Sequence, residues 1–418
     1  IKRNDMKKTS KKLIIESHSY PAFYHAFVMH IIPIYHMATW KVCEHFKYSN
    51  QSALFGLGLP ALHFVATPLF DHTLAALNVY VKEADPKAPS TRVVGESQMR
   101  PGKTQSKKLM RQNLEMDAMR YTRVLRSYAI FHAAMFLYSM YKVQELGDAP
   151  WRSAVFWTQF VVLGVIQGSG GGAIAHELFH RFTSVDRFLA QVLLSQILYN
   201  HFSVEHVLGH HRNVGTDKDP ATAKFNQSYY SFLLQSSIGG YLQSWQLEKE
   251  RILATHNTKT LSTWTLVKEH RILHYAIISF VIVPSLVYVL RGWTGMFAFF
   301  VQVVLGVCIV EGINYFEHYG LRRHKRMDGT YEPVEDWHSW DRSYGHMSKL
   351  SFINIILHSD HHHHPTKHYQ NLQVSTHEKT PHLPFPYSIM LLLSFVPPLF
   401  FHIMNKHPTF SQQINSTS

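Results

Sequence analysis

The apolar segments of this 418-residue chain constrain its fold more than any other feature. A helix needs about 20 mostly apolar residues to cross the hydrocarbon core of a bilayer. Stretches of this kind occur at 21–43, 52–77, 124–143, 154–175, 272–290 and 295–316. We therefore predict an all-α, multi-pass membrane protein with about six transmembrane helices. The later run 385–403 is interrupted by prolines, which predicts an interfacial or re-entrant segment instead.

The distribution of charge between these segments predicts their orientation. The connection from about 78 to 123 contains ten lysines and arginines, whereas the turns near 144–153 and 291–294 contain one arginine each. Basic loops stay preferentially on the cytoplasmic side of a membrane, or its organellar equivalent. We expect the long basic loop, both termini and the ends of the fourth and sixth spans on that side. The pattern does not distinguish a bacterial inner membrane from a mitochondrial inner membrane.

Composition excludes several other classes of protein. Two cysteines are too few for a disulfide scaffold, a zinc ribbon or a four-thiolate iron site. The net charge of +13 favours anionic partners, including membrane lipids, but no nucleic-acid-binding motif accompanies it. We divide the chain into a basic N-terminal arm (1–20), a single membrane domain (21–405) and a C-terminal tail (406–418).

Histidine is the residue type that points to chemistry, with 31 occurrences. His176 and His180 are four residues apart, so a helix places both imidazoles on one face. Taken alone, this pattern is the HExxH motif of zinc peptidases, with Glu177 as general base. Nine histidines in all lie in four short segments beside the predicted spans: His176, His180, His206, His210, His211, His318, His358, His361 and His362.

This number of histidines predicts two metal ions. A single zinc ion takes about four ligands, so nine imidazoles exceed one site and fit two sites of four or five. Imidazole binds iron, copper, zinc and nickel, so the ligand type does not identify the metal. The scattered histidines are interpreted as core or surface residues, and His363 and His364 as surplus; the scattered ones are His25, His30, His36, His63, His132 and His201.

Acidic residues beside these histidines are candidates for orienting the imidazole rings, because metal-bound histidines need hydrogen-bond partners on the outer nitrogen. The candidates are Glu177, Glu205, Asp219, Glu317 and Asp360. Each of them could equally be a solvated carboxylate on a basic face. The glycine-rich run 168–172 follows an apolar span rather than a strand, so it predicts close helix packing or a kink before His176, not a dinucleotide site.

The chain resembles the integral-membrane alkane 1-monooxygenases, which are non-haem di-iron enzymes. His-Glu-Leu-x-His, Glu-His-x-x-Gly-His-His, Asn-Tyr-x-Glu-His-Tyr-Gly-Leu and His-Ser-Asp-His-His occur in the family's order, over roughly 55–405. The resemblance implies a six-helix bundle with a cytoplasmic-side cap, two iron ions and the nine histidines above as ligands. Three features depart from the family: the loop of about 80–116 looks like an insertion, Leu357 replaces a common arginine, and the pattern after Trp337 differs.

The same resemblance implies hydroxylation of the terminal carbon of an alkane or alkyl chain, using O2 and two electrons. The chain has no redox motif of its own, so the electrons must come from a separate donor, such as a rubredoxin-like or ferredoxin-like protein. The basic run 321–326 either receives that donor or contacts the membrane surface. We expect the hydrophobic substrate to enter from the bilayer between the spans.

Other functions remain open at this stage. A fatty-acid desaturase or hydroxylase would use similar histidine clusters. An intramembrane zinc protease would use His176, Glu177 and His180 and leave the other seven histidines without a role. A non-catalytic, metal-binding subunit of a larger membrane complex would have the same sequence features.

Overall fold

The computed structural model describes residues 14–16, 22–49, 80–82, 103–147, 149–342 and 345–410. Within these ranges the regular secondary structure is helical apart from one pair of three-residue parallel strands, Ile14–Glu16 and Tyr80–Lys82, and two isolated β-bridges. Short strands of this size hold few hydrogen bonds and cannot organise a core. The all-α prediction is therefore confirmed for the part of the chain that the structure describes.

The helices differ widely in length. Of the four described helices longer than 20 residues, three contain predicted spans and the helix Tyr229–Thr255 does not. In chain order they are α1 (Ala22–His45), α2 (Lys103–Lys142), α3 (Ala154–Ile166), α4 (Gly172–Phe179), α5 (Ser184–Ser195), α6 (Phe202–Val204), α7 (His211–Asn213), α8 (Tyr229–Thr255), α9 (Thr263–Glu269), α10 (Arg271–Ile277), α11 (Val283–Glu317), α12 (His346–Ser351), α13 (His358–His363), α14 (Tyr387–Ser394) and α15 (Pro397–Met404). Three π-helical segments, Gln167–Gly171, Glu205–His210 and Ile278–Ile282, join neighbouring helices without a break.

The long helices coincide with five of the six predicted spans, and the sixth, 52–77, lies outside the described residues. Residues 271–317 form one continuous helix, and among the described residues it alone is both long and apolar enough to cross a bilayer by length and composition. Within it, Gly292 has a non-helical φ of 58°, which separates the two spans expected there. The number of spans remains a prediction.

Helix ends describe two further segments. The last part of the predicted insertion of about 80–116 is helical rather than a loop, because α2 begins at Lys103; the insertion itself stays a prediction. The run 385–403 is broken as expected: α14 ends at Ser394, and α15 begins with Pro397 and Pro398, whose rings cannot continue a preceding helix. Residues 406–410 continue onto the core, where Phe410 is buried against Tyr319. The domain boundaries themselves remain predictions.

Glycines allow α3 to approach α11 at backbone distance. A Cβ on Gly168 would lie 2.4 Å from the carbonyl oxygen of Gly306, and a Cβ on Gly164 would lie 2.9 Å from that of Gln302. The glycine-rich run also forms the π-helical turn Gln167–Gly171, directly before the helix that carries His176. Both expectations for this run, close packing and a local distortion, are confirmed.

Candidate metal centre

Four helix ends bring the nine predicted histidines together. His176 lies on α4 and His180 caps it, while His206 and His210 lie in the π-helical segment Glu205–His210 and His211 begins α7. His318 follows the last residue of α11, and α13 supplies the final three. The ends of these segments meet at the same place in the fold. The local i, i+3 and i, i+4 spacings therefore become one three-dimensional cluster.

The nine imidazoles form two separate groups, each with its coordinating nitrogens within 4.8 Å of one another. The five-histidine group contains His176, His180, His206, His211 and His361. The four-histidine group contains His210, His318, His358 and His362, all of them buried. This division into five and four matches the number of sites that the ligand count predicts.

The Nε2 atoms within each group face one another at the spacing of metal ligands. The Nε2–Nε2 distance is 2.8 Å between His176 and His206 and 3.0 Å between His211 and His361. In the second group, Nε2 of His318 lies 3.1 Å from that of His358. Two nitrogens bound to one metal at about 2.0–2.1 Å lie roughly 3 Å apart. A neutral imidazole has a single N–H, so clustered Nε2 atoms cannot all satisfy one another by hydrogen bonds. The donor set therefore fits two metal ions.

Burial keeps these histidines in the form that binds metals. Removal from water lowers the pKa of His180 to about 4 and that of His318 to about 3, because the charged imidazolium loses its hydration. Both rings are then neutral at physiological pH, and a neutral ring has a lone pair for coordination. Acid competes with metal only at lower pH than for an exposed histidine.

Two partners on the outer nitrogens fix the orientation of rings in the four-histidine group. The carboxylate of Asp219 lies 2.9 Å from Nδ1 of His210 and also accepts a hydrogen bond from the hydroxyl of Thr222. Burial acts to raise the pKa of Asp219, but the interactions with His210 and Thr222 hold it below its usual range. On the neighbouring ring, Nδ1 of His318 faces the carbonyl oxygen of His338 at 3.4 Å. Such contacts leave Nε2 available to a metal.

The other predicted carboxylates differ in what they contact. Glu317 accepts a hydrogen bond from the Tyr387 hydroxyl, and its second oxygen lies 3.4 Å from Nε2 of His358. Glu177 instead pairs with Arg181, and Asp360 pairs with Lys367.

Glu205 is the fifth predicted carboxylate. It is buried, and its Oε1 has no hydrogen-bond partner within the described part of the chain. A carboxylate oxygen of Glu205 also lies within 4.8 Å of the nearest ligand atoms of His210 and Asp219. Of the five candidates, Asp219 and Glu317 thus make the short contacts with the histidines, and Glu205 lies beside His210.

Asp341 is a residue of the centre that the sequence did not reveal. Its carboxylate accepts hydrogen bonds of 2.7 Å from both the backbone N–H and the hydroxyl of Ser359, which fixes the first turn of α13 and with it His358 and His361. Burial raises the pKa of Asp341 to about 7. The residue stands outside every histidine motif, so no spacing pointed to it. Leu357, where the family commonly has arginine, is buried in the apolar core at the start of the same helix.

Comparison with known proteins supports the resemblance stated above. The fatty acid desaturase family model matches residues 151–388, more than half of the chain. An alkane 1-monooxygenase of Pseudomonas aeruginosa is 33% identical over 63% of this chain and 65% of its own length. A second alkane 1-monooxygenase of that species is 32% identical over 70% of this chain and 74% of its own length.

This chain belongs to the membrane alkane monooxygenase family. The family's members are oxidoreductases, and a more distant relative shows its breadth: the hydroxylase component of the xylene/toluene monooxygenase of Pseudomonas putida is 28% identical over 56% of this chain. The chain spans about two thirds of the length of the curated alkane monooxygenases that it matches, 65% and 74% for the two described above.

An apolar cavity connects the two histidine groups of this family member. It has a volume of about 40 Å³ and lies between α4 and α11. Its walls are formed by Gly168, Gly172, Ala173, Phe202, Val310, Ile313, Asn314, Phe352 and Ile355. Its polar end is formed by His176 and His206 of the five-histidine group together with His358 and Glu317. A ligand in this cavity would reach the coordination sphere of both groups.

Proposed function

We propose that the protein is a multi-pass membrane, non-haem di-iron monooxygenase that hydroxylates the terminal carbon of an alkane or alkyl chain. The observation that carries the proposal is the apolar cavity that ends on histidines of both groups. The methyl end of an alkyl chain suits such a cavity, because its walls are mainly hydrocarbon. Family membership supports the reaction class, and the cavity supports a substrate position beside the ligands.

Two iron ions, held by the five-histidine and four-histidine groups, would supply the redox chemistry that activates O2 and oxidises an inert C–H bond. The protein's own residues hold the ligands, orient them and exclude water. Asp219 and the His338 carbonyl orient two of the imidazoles through their Nδ1 atoms. Phe202 and Phe179 pack their rings against His206 on the apolar side, which shields this part of the centre from solvent.

The proposal includes an external electron donor, of the rubredoxin or ferredoxin type, because the chain has no redox motif other than the histidine groups. Electrostatic steering needs exposed charges. The side chains of the basic run 321–326 differ in their exposure to solvent. Lys325 and Arg326 are exposed. Arg323 is half-buried and donates to the carbonyl oxygens of Arg212 and Glu332, so it acts within the fold. We assign the donor-facing role to Lys325 and Arg326.

The experiment that tests this function combines metal analysis with product analysis. The protein, purified in detergent and loaded with iron, would be given a chemical or protein reductant, O2 and a series of n-alkanes and fatty acyl chains. We expect about two irons per chain, because each histidine group offers four or five imidazole ligands. We expect primary alcohols as the products, because the proposed reaction hydroxylates the terminal carbon.

The alternatives predict different results in the same experiment. Dehydrogenated acyl chains would identify a desaturase, which the family model that matches 151–388 also describes. One zinc ion per chain with peptide cleavage would identify a protease. Two bound metals without oxidised product, under conditions in which a known family member is active, would identify a non-catalytic subunit and contradict the proposal.

A further inference from the structure

Helix α8 directs its apolar side chains away from the protein. Four positions spaced by four residues form an exposed apolar stripe: Tyr230 (53% exposed), Leu234 (64%), Ile238 (60%) and Leu242 (62%). The buried positions between 233 and 248 are small or polar: Ser236, Gly240, Ser244 and Glu248. A helix on a water-covered surface shows the reverse arrangement, with its apolar residues facing the core. The apolar stripe therefore has the character of a lipid-facing surface.

Two contacts join α8 to segments that the sequence places at the membrane. Tyr241 packs its ring against Phe280, with 6.3 Å between the ring centroids. Phe280 is 59% exposed and belongs to the described helix that is long and apolar enough to cross a bilayer. The hydroxyl of Tyr230 donates to the carbonyl oxygen of Phe395 at 2.8 Å, within the proline-interrupted run predicted to lie at the interface. The apolar stripe thus continues the exposed apolar surface of these two segments.

A polar pocket borders the apolar stripe. It has a volume of about 470 Å³ and lies between α8 and the loop 216–224, with Arg322 as a further lining residue. Three of its residues come from α8, and each directly follows a residue of the stripe: Gln235, Gly239 and Gln243. The two glutamine amides donate to the carbonyl oxygens of Pro220 and Lys218, at 2.8 and 2.7 Å. These hydrogen bonds hold the loop against the helix, so the pocket is formed by the fold itself.

Two lysines give this pocket an excess of positive charge. Lys218 and Lys224 line it and are both exposed. Within the described part of the chain, neither ammonium group has an ion-pair or hydrogen-bond partner. Arg322 adds a third cation to the lining. Groups of lysine and arginine beside a membrane attract the phosphate groups of anionic lipids.

The acidic residues of the pocket leave this positive charge in excess. The carboxylate of Asp217 is exposed and lies 3.3 Å from the guanidinium group of Arg322. Asp219 is buried, and its carboxylate contacts His210 and Thr222. Both carboxylates therefore have partners of their own, and the two lysines remain available to an anion.

We propose that the pocket binds the phosphate group of an anionic phospholipid whose acyl chains lie on the apolar stripe of α8. The two surfaces match the two parts of such a molecule, because cations and exposed hydrocarbon meet along one side of a single helix. Asp219 lines the pocket and contacts the four-histidine group, so the site is on the metal side, where basic loops and anionic lipids are expected together. The binding does not depend on the proposed reaction.

The apolar stripe favours a lipid over the other anions that a basic pocket attracts. Free phosphate would occupy the pocket and leave the stripe uncovered. An acidic protein would likewise gain from the lysines but would have no membrane to share with the stripe. A phospholipid covers both surfaces at once, and burial of the stripe under its acyl chains adds apolar contact to the charge interaction.

Retention of lipid from a defined bilayer tests the proposal. The full chain would be reconstituted into nanodiscs that contain equal amounts of phosphatidylglycerol and phosphatidylcholine. It would then be released in a mild detergent and examined by native mass spectrometry for lipid that stays bound. We expect about tenfold more phosphatidylglycerol than phosphatidylcholine, because only the first head group has a net negative charge to pair with the lysines. Equal retention of the two lipids would overturn the proposal.

Charge reversal locates the preference. Lys218→Glu combined with Lys224→Glu should abolish it, whereas arginine at both positions should preserve it. The matched control is Lys249→Glu combined with Lys259→Glu, two exposed lysines outside the pocket, which changes the net charge by the same amount. The same loss of preference in the control pair would show a general charge effect and overturn the assignment to the pocket. Retained binding in the arginine pair separates loss of charge from loss of fold.

Substitutions in the apolar stripe distinguish a lipid from a free anion. Leu234→Ser combined with Ile238→Ser should lower the retention of phosphatidylglycerol about fivefold, because the acyl chains lose apolar contact. Leu286→Ser combined with Val289→Ser, at exposed positions of the helix 271–317 away from the pocket, should leave it unchanged. Unchanged retention in the stripe variant, with displacement of the lipid by excess inorganic phosphate, would assign the pocket to a free anion and overturn the proposal.

An acidic electron-donor protein is the remaining occupant to exclude. Reduction of the metals by such a donor would be compared between the wild type and Lys218→Glu combined with Lys224→Glu. We expect the lipid preference to change in this variant. Slower reduction at an unchanged lipid preference would assign the pocket to the donor and overturn the lipid site.

Discussion

The carboxylate of Asp219 lies 2.9 Å from Nδ1 of His210, on the side of the ring opposite to the Nε2 that faces His318 at 3.1 Å. This contact fixes both the tautomer and the direction of the ring, because the nitrogen that holds the proton is the one beside the carboxylate. Asp219 is itself held by the hydroxyl of Thr222 and the backbone N–H of Ala221. The position of the Asp219 carboxylate is therefore fixed by hydrogen bonds within its own turn.

Asp219→Ala should weaken metal binding to the four-histidine group, because loss of an outer hydrogen-bond partner typically lowers metal affinity by about 10–100-fold. Competition with a coloured chelator would measure the affinity of each site. Asp217→Ala is the matched control: Asp217 is exposed and only pairs with Arg322 at the surface. Equal affinities in the two variants would contradict the role given to Asp219.

Three consecutive histidines should give three different results when each is changed to glutamine. His361 belongs to the five-histidine group, His362 to the four-histidine group, and His363 is exposed and contacts Asp336. His361→Gln and His362→Gln should each reduce the metal content, with loss at different sites. His363→Gln should keep both metals. Metal analysis with iron and Mössbauer spectra would distinguish the two losses, and an identical spectrum for His361→Gln and His362→Gln would contradict two separate sites.

Asp341 should make stability depend on pH in an unusual direction. Burial raises the pKa of Asp341 to about 7 from a reference of 3.8, so between these values the folded state keeps a proton that the unfolded state has lost. The free energy of unfolding contributed by this group therefore falls as pH rises through the window, by up to about 1.4 kcal/mol per pH unit. Asp341→Asn removes the ionisation and should flatten the dependence.

The measurement is the difference in thermal unfolding midpoint between the wild type and Asp341→Asn, recorded from pH 5 to pH 8 on metal-free protein. The difference isolates Asp341 from the histidines, which both proteins share. Wild-type stability should decline relative to the variant as pH rises. A difference that stays constant across this range would contradict the raised pKa.

Histidines that share one helix face could be predicted from sequence because their spacing is local, and the role of the nine as metal ligands stays a prediction. His358, His361 and His362 lie within two turns of one helix, and the same holds for His176 and His180. The roles of the carboxylates could not be assigned in this way. Neighbouring residues of a helix point in different directions, so a carboxylate next to a histidine in sequence need not contact its ring. Glu177 and Asp360 directly neighbour ligands, yet their side chains pair with Arg181 and Lys367.

Long-range contacts explain what the sequence did not reveal. Asp341 reaches Ser359 across 18 residues, and its role depends on how that segment folds over α13. In the sequence, Arg323 looked like part of a uniform basic surface. In the structure, its guanidinium donates hydrogen bonds to the backbone carbonyl oxygens of Glu332 and Arg212. The cavity is likewise a product of helix packing: the sequence predicted an apolar route between spans, but only the fold brings Ala173 and Phe352 into the same wall.

Lys325→Glu combined with Arg326→Glu should slow reduction of the metals by an acidic donor, with no change in metal content. Both side chains are exposed, so their charges are screened by salt, and the wild-type rate should fall toward that of the variant as ionic strength rises. Stopped-flow reduction by a rubredoxin-like or ferredoxin-like protein at several salt concentrations is the measurement. Lys259→Glu, also exposed but in the turn after α8, is the control. The same rate for both variants at low salt would exclude this surface.

Phe202→Ala should widen the range of substrates that the cavity accepts. Phe202 lines the cavity and packs its ring against His206 at 5.0 Å, so its removal adds volume next to the ligands. Phe179→Ala is a matched control, because Phe179 also packs against His206, at 5.6 Å, without lining the cavity.

Both changes remove a buried aromatic ring and should cost about 3–5 kcal/mol of stability, so stability alone does not separate them. Product analysis with linear, branched and aromatic-ended chains does. We expect Phe202→Ala to oxidise bulkier chain ends than the wild type, and Phe179→Ala to keep the wild-type preference at a lower yield. The same preference in both variants, with metal content intact, would place the substrate outside this cavity.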